Sequence, residues 1–511
     1  MQRSSNEGLS EWCLIESNPC IFNDMLSRMG AKHLSVEDVY DLEFFDDYIY
    51  NRDVVSVEHV LSIELYKTEK EKEKEREERE EREEQKEQKE QNAADGSTGG
   101  GAPPKREMYR NTAETDEKYY RLIRNENSIF GIIFLFNIGK SYKRNKFVEH
   151  SVPENLFFAK QVIPNACATQ AILSIVLNIG VELNEEIKNI KSFSNNFDSS
   201  MKGLTLSNCN FLRNIHNTYK PPIYIEKENL HDEKGKNNDS FHFVSYIQFG
   251  GSVYMLDGLQ EGPVLIGQTG GADGRRSWVD LAREHIKKEI DEICGVSGGS
   301  GVSGGVGGSS GGRGGSGGGD GRFNILIVVK DKEYLLKEFY KIHRILYKRL
   351  FTKLRSLGVK EELLLDPVHD KINDQLSEEI SAEMNGQVSG QANGQANGQA
   401  NVQANGQANV QANGQVIEEK FNYANIPTVE ELPDNIGELL TTFHKSQFEI
   451  NYLQALLQEQ KQLKRSSKKE LAFKYFNFYP FVMSSLKLMA KHKFLKEAYQ
   501  KQKQKRRRAI A

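Results

Sequence analysis

Apolar residues fall along this chain in short bursts whose spacing changes from one stretch to the next. Between residues 11 and about 65, small apolar clusters alternate with capping signals. Asn18-Pro19 reads as a helix entry, and Phe22, Met25, Leu26 and Met29 follow at helical spacing. Residues 129–138 (IFGIIFLFNI) form a continuous β-branched and aromatic run, the pattern of a buried strand. Ala171, Ile172, Ile175, Val176 and Ile179 return to helical spacing and predict a core helix over 166–180. FHFVSYI (241–247) and SVYMLD (252–257), with Gly250-Gly251 between them, predict a β-hairpin. Trp278–Ile293 predicts an amphipathic helix and Phe323–Val329 another buried strand. Asp331–Leu357 predicts a long helix striped by Leu335, Phe339, Ile342, Leu346 and Leu350. Glu430–Lys464 and Leu471–Gln500 read as further helical segments, broken near Ser466-Ser467 and at Pro480.

Three stretches have no apolar face at all. Glu69–Gln91 is almost entirely Glu, Lys, Arg and Gln and runs into glycines and prolines, so 66–115 is expected to be an insertion. Gly295–Gly321 is Gly/Ser-rich and bridges a helix and a core strand as a loop. Residues 385–415 repeat Asn-Gly-Gln-Ala, too short a period for a solenoid and without core-forming side chains.

The net charge of −4 over 511 residues gives no global case for nucleic acid, although Lys501–Arg508 closes the chain with a basic cluster. The five cysteines lack the CxxC spacing of a zinc or redox site. Met1–Glu11 has no apolar signal core, and the run at 129–136 is far below the roughly 18–20 residues that span a bilayer. The expectation is an intracellular protein, with no membrane partner and with its thiols reduced.

Cys167 stands where loop gives way to an apolar helix. There the free N–H groups and the positive end of the helix dipole favour thiolate and accept charge developing on a carbonyl oxygen. Gln161, upstream, offers a side-chain amide as a second donor. His242 lies between Phe241 and Phe243, where an unpartnered imidazole is costly to bury. Asp257 ends the following strand, and a tight hairpin brings it beside the first, with the other imidazole nitrogen left to face Cys167. Taken singly, Cys167 also reads as a core thiol, His242 as a structural imidazole and Asp257-Gly258 as a turn. Cys13, Cys20, Cys209 and Cys294 read as core thiols.

Several segments resemble the ubiquitin C-terminal hydrolase family: EWCLIESNPCIF (11–22), FFAKQVIPNACATQAILSIVLN (157–178), FDSSMKGLTLSN (197–208), FHFVSYI (241–247) and YMLDGLQEGP (254–263), together with GIIFLF (131–136) and RFNILIVV (322–329). They follow the family's order. The resemblance makes Gln161 the oxyanion donor, Cys167 the nucleophile, His242 the general base and acid, and Asp257 the orienting carboxylate. It implies a papain-like α/β fold, a central, mainly antiparallel sheet flanked by helices, and no metal or organic cofactor. The implied substrate is the C-terminal glycine of ubiquitin, with ubiquitin-like modifiers as further candidates, and a polar crossover loop from about Lys220 to Ser240 would restrict leaving-group size.

FNFYPFVMSSLKLMAKHKFL (476–495) resembles the extension of the longer, proteasome-associated member, which implies docking on the ubiquitin receptor of the proteasome's regulatory particle, in cytoplasm and nucleus. The expected organisation is a catalytic unit over 10–330, a helical extension over 331–384, a linker at 385–415 and a helical partner-binding unit over 421–511. The rival reading from another class is an adaptor that binds ubiquitin and proteasome with little turnover. The basic tail also suits nuclear import, but no stacking platform accompanies it to support nucleic-acid binding.

Overall fold

The computed structural model describes residues 12–49, 55–61, 118–138, 152–220, 241–270, 276–294, 323–360, 364, 421–494, 496 and 499–502. The charged run, the Gly/Ser loop, the Asn-Gly-Gln-Ala tract, the expected crossover loop and the end of the basic tail lie outside the described residues.

Six antiparallel strands form one sheet: β1 (Leu34–Val39), β2 (Ile129–Asn137), β3 (Phe241–Phe249), β4 (Ser252–Leu256), β5 (Val264–Gln268) and β6 (Phe323–Lys330). Their order across the sheet is β1-β6-β2-β3-β4-β5. β2 and β6 lie inside the sheet, and their continuous apolar runs follow from having both faces covered. One face packs against α1 (Pro19–Arg28) and α2 (Cys167–Val176), where Phe22, Met25, Ile172 and Ile175 are fully buried. Each such side chain contributes about 1.5–3 kcal/mol by leaving water. The other face packs against Trp278, Val279 and Ile286, from a helix over Trp278–Cys294. Gly250 and Gly251, both at positive φ, turn β3 into β4 in two residues, so Ser245 lies opposite Leu256.

Two strands were not expected. Leu34–Val39 (LSVEDV) carries Glu37 and Asp38 inside an edge strand, which breaks the apolar pattern that marks β2 and β6. Val264–Gln268 is the opposite edge, short and containing Gly267.

The expected helix after β6 is present over Lys332–Ser356, capped by the Asp331 carboxylate on two backbone N–H groups. It packs against a 40-residue helix, Ile436–Tyr475. Lys464 meets Asp331 at one end of the pair and Lys353 meets Asp434 at the other, so the two helices run antiparallel. Leu335, Phe339, Ile342, Leu346 and Leu350 share their core with Leu439, Phe443, Ile450 and Leu453, so the stretches read as two separate helical units pack as one.

The long helix passes through Ser466-Ser467 without a break, a correction to the sequence expectation. Serine between Lys, Arg and Glu costs only tenths of a kcal/mol in an exposed helix, far less than Gly or Pro. The break comes at Phe476–Phe478, and Pro480 lies in the first turn of the next helix, Tyr479–Lys491, where its missing N–H costs nothing. Cys13, Cys20 and Cys209 are half-buried rather than core thiols, and Cys167 is the one buried cysteine among the described side chains, which do not include that of Cys294.

Candidate active site

Helix α2 begins on Cys167 with Ala166 as N-cap, and no side chain caps it. Replacing a capping Ser or Asp by Ala typically costs a helix about 1 kcal/mol, because the first N–H groups are left without partners. Asn165 has the chemistry to cap, but it sits at φ 65° and its amide donates instead to the Trp12 carbonyl at 3.2 Å. The donors at the start of α2 are therefore left to a group developing negative charge beside Cys167.

The hairpin supplies the second and third groups. His242 is the second residue of β3, opposite Phe136 of β2, whose ring meets the imidazole edge-on at 6.0 Å. Asp257 follows β4, and its Oδ1 accepts from His242 Nε2 at 2.6 Å. That bond leaves Nδ1 for Cys167, the imidazole's other hydrogen-bonding neighbour. His242 and Asp257 are 2% and 0% exposed, so water does not compete for the bond. Burial pushes the imidazole pKa down. The hydrogen bonds and charges of Asp257 and Cys167 outweigh it together and raise the pKa to about 9. The arrangement can hold an imidazolium at neutral pH.

Asp257 is itself fixed. Oδ1 also accepts from the Leu259 N–H at 2.9 Å, and Oδ2 accepts from Gln260 Nε2 at 3.0 Å. Gln260 is fully buried and was not anticipated; the signal available was an amide three residues after a carboxylate in a tight turn.

Gln161 joins the same turn. Its backbone N–H donates to the Gly258 carbonyl at 2.8 Å, and its side-chain Nε2 donates to the Ile163 carbonyl at 3.1 Å. A carboxamide nitrogen carries two N–H groups, so one remains for a reacting oxygen. Gly258 was also missed. A Cβ there would stand 2.6 Å from Gln170 Nε2 and 2.9 Å from Gln161 Cβ. Only glycine lets the end of β4, the Gln161 loop and α2 approach this closely.

The structure thus brings Cys167, His242 and Asp257 together and ties Gln161 to the residue after Asp257. No group of three or more potential metal ligands occurs among the described residues, and no helix among them is long and apolar enough to cross a membrane.

The family model "Ubiquitin carboxyl-terminal hydrolase, family 1" (Peptidase_C12) matches residues 12–95 and 107–291. Ubiquitin carboxyl-terminal hydrolase UCH54 of Plasmodium falciparum is 46% identical over 549 residues, covering 98% of each chain. Ubiquitin carboxyl-terminal hydrolase isozyme L5 of Dictyostelium discoideum is 29% identical over 339 residues, covering 66% of each. Among solved structures, the Trichinella spiralis UCH37 catalytic domain bound to ubiquitin vinyl methyl ester is 26% identical, with a TM-score of 0.36, and covers 64% of this chain and 99% of that one.

Proposed function

The chain belongs to family 1 of the ubiquitin carboxyl-terminal hydrolases, and we propose that Cys167, His242, Asp257 and Gln161 carry its deubiquitinase activity and that its C-terminal helix docks it on the proteasome. The enzyme is a thiol hydrolase and its partner is ubiquitin. In the proposed mechanism the Cys167 thiolate adds to the carbonyl of ubiquitin's terminal glycine. The oxyanion is met by the uncapped N–H groups of α2 and by the Gln161 amide. His242, charged beside Asp257, gives its proton to the departing amine, and a thioester forms. The neutral imidazole then takes a proton from water, which attacks the thioester and releases ubiquitin. The observation that carries this assignment is the buried 2.6 Å bond between His242 and Asp257, with Cys167 as the imidazole's other neighbour.

The docking role rests on a different observation. The helix Tyr479–Lys491 has no buried residue, and Phe476, Phe481 and Leu488 are 55%, 69% and 59% exposed. A sheet of large apolar side chains around one helix favours a partner surface. The partner proposed is the ubiquitin receptor of the proteasome's regulatory particle, with an acidic groove for the basic tail, in both cytoplasm and nucleus. A chain ending at Tyr475 is expected to cleave small ubiquitin adducts at the full rate and to lose proteasome co-purification at physiological salt. Retention of that chain on proteasomes would overturn the docking role.

A further inference from the structure

A second buried histidine reaches the catalytic helix from outside the triad. His216 lies in the last turn of the helix Asn210–Asn217 and is fully buried, and that burial lowers its pKa to about 4, so the imidazole is neutral at neutral pH. Its Nε2 lies 2.7 Å from the Cys13 carbonyl oxygen, which can only accept. Nε2 therefore carries the proton, and Nδ1 accepts from the Thr169 hydroxyl at 2.7 Å. Thr169 is buried and lies two residues after Cys167 in α2.

The same short stretch of chain holds the other side of Cys167. Asn165, two residues before it and at φ 65°, donates to the Trp12 carbonyl. A left-handed asparagine is strained unless its surroundings hold it; here the Trp12 carbonyl does so. The Trp12 ring packs on the His216 imidazole at 4.6 Å, and the Cys13 N–H donates to Asn217 Oδ1 at 3.0 Å. Trp12-Cys13 is thus gripped by His216 and Asn217 and holds Asn165 at position −2 from Cys167, while His216 itself holds Thr169 at position +2.

A helix that needed only packing would be served by an apolar side chain in place of a buried imidazole, which is costly to desolvate. The polar contacts fall instead on Thr169 and, through Trp12, on Asn165. These two residues flank Cys167 in the chain, two before it and two after. We propose that His216 is a positioning residue for the reaction: through Thr169 on one side and the Trp12-Cys13 strut on the other, it fixes the aim of the Cys167 thiol at the substrate carbonyl. The inference rests on the assignment of Cys167 as nucleophile and adds a specific dependence to it.

Thr169→Val in the full chain deletes the hydroxyl and keeps the shape, a smaller disturbance to folding than His216→Ala. On a ubiquitin-fluorophore amide, Thr169→Val is expected to lower kcat on the order of tenfold or more, with KM little changed, the scale set by a small misplacement of a reacting group. Thr169→Ser, which keeps the hydroxyl, and His216→Gln, which keeps a donor and an acceptor, should recover most of the rate. The His216→Ala/Thr169→Val pair should be no slower than the slower single variant. Wild-type kcat in Thr169→Val, or a loss in every variant that only tracks the folded fraction from thermal melts, would overturn the positioning role. Turnover persisting in Cys167→Ala would instead remove the nucleophile assignment beneath it.

Discussion

The neighbourhood of Cys167 and the helix Tyr479–Lys491 treat their side chains in opposite ways. Around Cys167 buried polar groups pair with one another, His242 with Asp257, Asp257 with Gln260 and Thr169 with His216, while Gln161 Oε1 and Trp12 Nε1 are buried without a partner. In the terminal helix apolar groups are exposed and none is buried. Buried polar groups paired in this way hold their geometry from within the chain. An exposed apolar helix holds its surface for something else. The chemistry is therefore expected to be complete in the isolated chain, and the contribution of the C-terminal helix to appear only with a partner. The link between the two regions is the far end of the long helix, where Leu471 and Tyr475 pack against the catalytic core and Lys474 reaches Glu16.

That contrast can be broken at several points. The largest effect is expected for His242→Ala, which removes the base and acid together and should bring turnover of a ubiquitin-fluorophore amide near background. Asp257→Asn should cost less, and the double variant little more than His242→Ala alone, because the groups act as a unit. Simple multiplication of the two losses would separate the residues and break the network picture. Gln161→Ala should slow turnover by about 10²–10³, the usual scale for one oxyanion donor, with ubiquitin binding retained. An unchanged rate would assign the oxyanion to the N–H groups of α2 alone.

A smaller effect belongs to pH. His242 is raised from 6.5 to about 9, so its charged form is favoured by folding. The stability this gives is fully present below about pH 6.5 and is lost as pH rises through about 9. Acylation, which needs the imidazolium proton, should fall over the same upper window in a rate–pH profile, while association through the C-terminal helix should not follow it. An acylation rate still climbing at pH values well above that window would place another group in the acid role.

Much of the catalytic half was legible because its signals are local. The β3–β4 hairpin announces itself through Gly250-Gly251, and its register, with Ser245 opposite Leu256, carries Asp257 to within two residues of the position opposite His242. Cys167 is marked by the change from loop to apolar helix. What escaped depends on contacts distant in sequence. His216 looks like any polar residue in an amphipathic helix until Cys13 and Thr169 close around it, and Gly258 looks like a turn glycine until Gln161 and Gln170 approach. The edge strands escaped for another reason. Glu37 and Asp38 are half-buried at the rim of the sheet, Glu37 paired with Lys332, so the apolar alternation that reveals interior strands is missing there. The polar stretch at Ser466-Ser467 suggests a stop in the long helix, but helices end for want of backbone competence, at Gly or Pro or a cap.

The central claim is that Cys167 is a nucleophile aimed at ubiquitin's terminal carbonyl by groups already in place in the chain alone. Incubation with a ubiquitin C-terminal vinyl ester tests it directly, because the adduct forms only where an activated thiol meets the ubiquitin terminus. The account predicts a stoichiometric adduct on Cys167 with the isolated full-length chain at neutral pH, and none with Cys167→Ala, which should still bind ubiquitin. An adduct on Cys13, Cys20 or Cys209, or a wild-type chain that binds the probe without reacting, would contradict it and favour an adaptor.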